Sequence, residues 1–218
     1  MLNLHYFITS IFFVFSIIFH HPISDAQGFE GKLKVVKETL TDTVYYEYYV
    51  KENMVRIDEK DKNGKIFNYK LVDLEKNTIK TVNPERKLYM LMSPQSSQLV
   101  DSDKLKVIKS PNSKMINGYK CYQWRVRNEE ENTEIAFWVA KDNFYFFDDF
   151  LRVYGDKEKE TILYFLYISG NEGFLPMLAV ERSLLRKKRM TLRVENIEKQ
   201  KLKSSLFEVP EYFSVFDR

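Results

Sequence analysis

Apolar and polar side chains alternate in "TVYYEYYVK", residues 43–51: Val44, Tyr46, Tyr48 and Val50 fall on one face, Tyr45, Glu47, Tyr49 and Lys51 on the other. A period of two marks a half-buried antiparallel strand. The same logic places strands over 29–38, with Leu33 and Val35 facing in and Lys32 and Lys34 facing out, and over 54–60, with Val55 and Ile57 inward. Turn residues then punctuate the chain: Asn63-Gly64 before a strand at 66–74, Glu75-Lys76-Asn77 before 79–82, and Asn83-Pro84-Glu85 before 88–92. These residue types favour tight turns over extended backbone, so the pattern predicts a meander of antiparallel hairpins.

From 94 to 111 the chain turns polar and Ser-rich, which predicts a connecting loop with a short helix about 100–106. Asn117-Gly118 then opens a hairpin whose arms are "YKCYQWRVR" and "TEIAFWVAK", joined through 129–132. The second arm has Ile135, Phe137 and Val139 on one face and Ala136, Trp138 and Ala140 on the other, so it belongs inside a sheet with both faces covered. In "DNFYFFDDFLRVYG" the period changes: Phe144, Phe147, Leu151 and Tyr154 recur at helical spacing, Asp142 or Asn143 is placed to cap the start, and Gly155 suits the end. A second helix is expected over 157–168, apolar almost all round, and two further strands at 178–185 and 190–197.

The first 26 residues have a different character. Residues 6–19, "YFITSIFFVFSIIF", are too short to span a bilayer but suit a secretory leader. Pro22 and the small residues Ser24 and Ala26 follow, which puts cleavage before Gln27 and divides the chain into a signal peptide at 1–26 and a single domain at 27–218. Because the segment before the apolar run has no Lys or Arg, retention as an uncleaved anchor is the alternative.

Cleavage has a chemical consequence, since His5, His20 and His21 are the only histidines. The mature chain then has no Ser-His-Asp triad, no Cys-His dyad and no imidazole for a transition metal. Cys121 is the sole cysteine, so no intramolecular disulfide forms and stability rests on a packed core. No metal, no cofactor and no catalytic residue is expected; Asp148 and Asp149 are the only acid pair an enzyme reading could nominate, and they read better as a solvated helix face. Loss of Asp25 with the leader leaves 34 basic against 30 acidic side chains, too mild an excess to indicate nucleic acid. Its densest basic patch, Arg186, Lys187, Lys188 and Arg189, reads as a solvated turn or as a contact for lipid headgroups.

Four pieces, "FEGKLKV", "NMVRID", "INGYKCYQW" and "LKSSLFEVPEYF", occur in an order that resembles a domain-of-unknown-function family of exported Gram-negative proteins. The family is similar in fold to the outer-membrane lipoprotein carriers LolA and LolB. That resemblance implies a mainly β (α+β) fold: a curved antiparallel half-barrel with two or three short helices over its concave face, here a helical lid about 142–169. It also implies an envelope location, periplasmic or at the cell surface. The expected function is non-enzymatic binding of a lipid, acyl chain or other hydrophobe by a monomer, in a cavity lined by Trp124, Trp138, Phe144, Phe147, Phe150 and Leu151. The alternative is a secreted or periplasmic interaction module with a solid core, an envelope protein as its partner and no small ligand. For the leader, the expected mass of protein exported in a Gram-negative host is that of a chain starting at Gln27; intact-mass measurement checks it, and a membrane-bound chain retaining residues 1–26 supports the anchor.

Overall fold

In the computed structural model the described residues are 28–92, 101–155 and 161–216. The predicted leader and its cleavage site therefore lie outside them. Eleven strands follow one another with a single α-helix between the ninth and tenth: β1 (Gly31–Thr39), β2 (Thr43–Lys51), β3 (Met54–Lys60), β4 (Ile66–Asp73), β5 (Thr78–Asn83), β6 (Leu88–Met92), β7 (Leu105–Ile116), β8 (Tyr119–Asn128), β9 (Thr133–Lys141), α1 (Phe146–Tyr154), β10 (Phe174–Arg182) and β11 (Lys188–Lys199). A two-residue β12 (Ser214–Val215) closes the chain. They form one open, curved sheet in the order β12-β6-β5-β4-β3-β2-β1-β11-β10-β9-β8-β7. Neighbours pair antiparallel except β12, which runs parallel to β6. The join between the two halves of the chain is β1 on β11, where Val35 meets Val194 beside a bulge.

The meander is as the alternation predicts, and the turns carry the left-handed residues expected of them: Asn117 has φ 51° and Gly118 φ 78°. Three expectations need correction. The polar stretch after residue 100 is a strand, β7, preceded by a 3₁₀ turn at Ser102–Lys104; residues 94–100 lie outside the described part. As an edge strand β7 keeps much of its surface in water, and an irregularity between Lys109 and Ser113 accommodates Pro111, so its composition imitates a loop.

The second helix is a 3₁₀ turn at Thr161–Tyr167, with 157–160 outside the described residues. A continuous apolar run signals burial without fixing a period. Among the described residues, one α-helix and this 3₁₀ turn thus stand where two or three helices were expected over the concave face. The third correction concerns β10, which begins at Phe174 rather than 178 and stops at Arg182, leaving Leu184 and Leu185 in a turn.

Each face of the sheet has its own cover. On the face toward α1 lie Leu33, Val35, Val55, Ile57 and Val72, all buried. The opposite face of β2 to β4 is not solvated as its polar residues suggest, because the chain after β11 folds back across it. Lys51 Nζ donates to the Leu202 carbonyl at 2.9 Å, Arg56 Nη1 to the Leu206 carbonyl at 3.0 Å, and the Leu202 N–H to Glu30 Oε1 at 2.8 Å. Val209 and Phe213 complete a small second core on Tyr69, Leu71 and Val82. The "LFEVPEYF" motif is therefore a strap.

On the same face of β2, Glu47 is only 7 % exposed. Its carboxylate accepts from Tyr49 Oη at 2.9 Å, pairs with Lys32 Nζ at 2.9 Å and is also bonded by Lys60. Burial opposes this charge, but the three donors outweigh burial and hold the Glu47 pKa down to about 2. Asp58 goes the other way: burial pushes it up, although Arg56 Nε donates to it at 2.6 Å.

Two predictions follow from this packing. A Cβ on Gly31 would stand 2.2 Å from the Glu198 carbonyl oxygen of β11, and backbone there has no room to retreat. Gly31→Ala is expected to lower stability by roughly 2–4 kcal/mol in urea unfolding. Because the folded pKa of Glu47 is depressed, its stabilisation is full above the unfolded value near 4.5 and is lost as pH falls toward about 2. Glu47→Gln is expected to be less stable by about 1.5–3 kcal/mol at neutral pH, with a deficit that shrinks between those two pH values.

Candidate functional site

The helix α1 carries its apolar residues as a stripe: Phe146, Phe147, Phe150, Leu151 and Val153 are buried, while Asp149 and Arg152 face water. An amphipathic helix of nine residues is too short to persist in water alone, so the sheet holds it. Its first residue follows Tyr145, which makes no side-chain cap. Asp142, expected to cap, instead accepts from the Asn143 N–H at 2.9 Å and from Lys199 Nζ at 2.5 Å. Gly155 ends the helix at φ −45°, outside the left-handed region expected of it.

The rings of α1 meet those of the sheet and of the 3₁₀ turn directly. Phe150 packs edge-on to Tyr48 at 5.8 Å, and Phe147 to Phe165 at 5.5 Å. Phe165 in turn touches Phe137 at 5.5 Å and stacks over Trp124 at 6.3 Å. Phe144 closes the near end against Phe29 at 5.3 Å and Tyr119 at 5.9 Å. Five of the six residues expected to line a cavity, Trp124, Phe144, Phe147, Phe150 and Leu151, thus join one apolar cluster, and their rings fill it.

Trp138 is the exception. It is adjacent to Phe137 on β9 and so points to the other side of the sheet, where Lys114 Nζ sits 4.2 Å from its ring centroid. The double-sided apolar pattern of β9 could not say which side α1 would choose.

Polar ties fasten both ends of α1. Asn171 Nδ2 donates to Asp148 Oδ1 at 2.8 Å and to the Phe165 carbonyl at 3.1 Å, linking the first turn of the helix to the 3₁₀ turn; Arg152 Nε adds a bond to Asp148 at 3.0 Å. Asp148 is therefore structural, and Asp149 is exposed. At the other end Lys70 Nζ donates to Tyr154 Oη at 2.8 Å and to Glu59 Oε1 at 2.5 Å. Burial works against the Lys70 charge, yet Tyr154 and Glu59 outweigh it and raise its pKa above the ordinary lysine range. Sequence reading missed Lys70 and Glu59, although a signal exists: Glu59 shares strand parity with Val55 and Ile57, and Lys70 with Val72, which puts two charges on an apolar face.

The basic patch divides. Arg189 is half-buried, donating to Thr133 Oγ1 at 2.7 Å and lying 3.8 Å from Glu181, whereas Arg186, Lys187 and Lys188 are exposed. Cys121 is fully buried, and burial raises its thiol pKa. A cleft of about 300 Å³ lies beside the start of α1, where Phe29, Asp142, Asn143 and Lys199 meet and Phe29 packs on Phe146 at 5.8 Å. Among the described residues no helix is long and apolar enough to cross a membrane.

An uncharacterized conserved protein from Thermus thermophilus is similar to this chain at a TM-score of 0.52 and 10% identity, over 88% of this chain and 93% of that one. At that identity the likeness is one of fold. The complex of MucA and MucB from Pseudomonas aeruginosa gives 0.48 and 8%, over 84% of this chain and 56% of that one. A putative outer membrane lipoprotein-sorting protein domain from Vibrio parahaemolyticus gives 0.34 and 9%, over 84% and 90%. These last two are distant in fold, and nothing functional follows from them. No curated protein is matched by sequence. A family profile described as a domain of unknown function, DUF4412, matches residues 29–213, from the ring that seals the near end of the core to the last anchor of the strap. The chain belongs to this DUF4412 family, the kind of family its four motifs resemble.

Proposed function

We propose that the protein is an exported, non-enzymatic binder of acyl chains or similar hydrophobes, which enter between α1 and the sheet. The observation that carries this reading is that α1, a separate short element, supplies the rings that fill the concave face and is fastened by side-chain ties at its two ends. Swinging α1 away would bare Tyr48 of β2 and the ring of Phe165, which itself lies over Phe137 and Trp124. The carrier-like fold that the four sequence motifs imply favours the same class of ligand.

Magnitudes set the size of that ligand. Exposing Phe146, Phe147, Phe150, Leu151 and Val153 costs about 7.5–15 kcal/mol at roughly 1.5–3 kcal/mol each, and an incoming chain returns about 0.8 kcal/mol per buried methylene. About 9–19 methylenes are needed to break even, so long acyl chains bind and short ones do not.

The close ring contacts favour a second reading, an interaction module whose aromatics are solid core. The two separate on chain length and on the ties. Titrating fatty acids into a Trp138→Phe variant, so that Trp124 alone reports, is expected to give saturable quenching for chains of about 14 carbons or more and none below about 8. Asn171→Ala, which releases the first turn of α1, is expected to tighten binding about 5- to 10-fold, since opening then breaks fewer bonds. No saturable response at any length, with Asn171→Ala merely less stable, would leave the interaction module as the function.

A further inference from the structure

Two leucines stand almost bare at one end of the sheet: Leu185 is 89 % exposed and Leu40 is 67 % exposed. Leu185 sits in the turn between β10 and β11, Leu40 in the turn between β1 and β2. Because β1 and β11 are paired neighbours, with Thr39 opposite Met190, both tips project from the same end.

The β10–β11 tip is built firmly. The Ser183 N–H donates to the Lys187 carbonyl and the Arg186 N–H to the Ser183 carbonyl, each at 2.9 Å, and Arg186 takes φ 69°. From the neighbouring β8–β9 turn, Asn132 Oδ1 accepts from the Leu184 N–H at 3.1 Å. Geometry therefore holds Leu185 out in water.

Cations surround it. Arg186, Lys187 and Lys188 are exposed and, among the described residues, their side chains make no ion pair. Two of the nearby acids are engaged elsewhere, Glu130 by Lys104 at 2.8 Å and Glu129 by Arg127 at 3.6 Å.

We propose that this end of the sheet docks on an anionic bilayer surface, with Leu185 and Leu40 entering the headgroup boundary and Arg186, Lys187 and Lys188 pairing with lipid phosphates. A protruding leucine followed by three exposed cations is the arrangement that gains from both the apolar boundary and the negative surface potential of such a membrane. A protein partner fits less well, because a stable protein interface takes about 800 Å² from each side and two narrow hairpin tips present little area. The proposal goes beyond hydrophobe binding under α1 and does not depend on it.

Sedimentation of the mature chain with vesicles tests it, comparing phosphatidylcholine alone with phosphatidylcholine plus phosphatidylglycerol. Wild type is expected to sediment with the anionic vesicles at low salt, to be released at high salt, and to ignore the neutral ones. R186S/K187S/K188S is expected to weaken partition by about 100-fold, the combined effect of three surface cations. Leu185→Ser is expected to weaken it about 10-fold. Both variants should keep the wild-type Tm and the fatty-acid response of Trp124, since the replaced side chains support neither. Leu185→Trp should shift its emission to the blue only with anionic vesicles. Wild type left in the supernatant with anionic vesicles at low salt, or a triple variant that sediments like wild type, overturns the assignment whatever happens beneath α1.

Discussion

An open sheet with an apolar concave face must cover that face, and in this chain α1 and the 3₁₀ turn beside it supply much of the cover. The Phe147–Phe165 contact at 5.5 Å is its centre, because Phe165 passes it on to Phe137 of β9 and Trp124 of β8. Ring against ring gains burial and edge-to-face attraction together. Without it, strands from both halves of the chain would present bare Phe, Val and Ile to water. The ties at Asn171 and Lys70 direct α1 to its place, while the burial of its rings makes that place favourable.

The other face meets the same constraint by different means. There the residues are charged, and what lies over them is a strap of irregular chain whose carbonyl groups accept from Lys51 and Arg56. Irregular backbone can lie on a sheet only if its polar groups find partners. The charges of β2 and β3 provide them, and Glu47 balances the lysines below. A polar strand face is here the means of docking a segment, not a sign of solvent.

These two covers differ in what they permit. The strap is fixed by hydrogen bonds distributed along its length and anchored by Val209 and Phe213. The helix has a greasy contact bounded by a few polar bonds, an arrangement in which another apolar surface could substitute for the rings. Function is proposed under α1 for that reason. The exposed leucines at the hairpin end belong to neither cover.

The meander β1 to β6, the β8–β9 hairpin, the turn glycines and asparagines and the aromatic stripe of α1 are all legible in the sequence, because each depends on residues a few positions apart. The inward side of α1 was legible as well, since amphipathic spacing marks an inward face. What the sequence could not decide is where that face goes. Whether Trp138 or Phe137 looks toward α1 depends on which side of β9 the chain crosses after Lys141, and alternation is symmetric between the two. An edge strand such as β7 resembles a loop because water satisfies one side of it. The docking of the strap on β2 and β3 joins residues about 150 apart in sequence, by bonds such as Lys51 to Leu202 and Arg56 to Leu206. Local pattern fixed the elements and their apolar faces; contacts distant in sequence chose the covers, since only the folded chain brings them within reach.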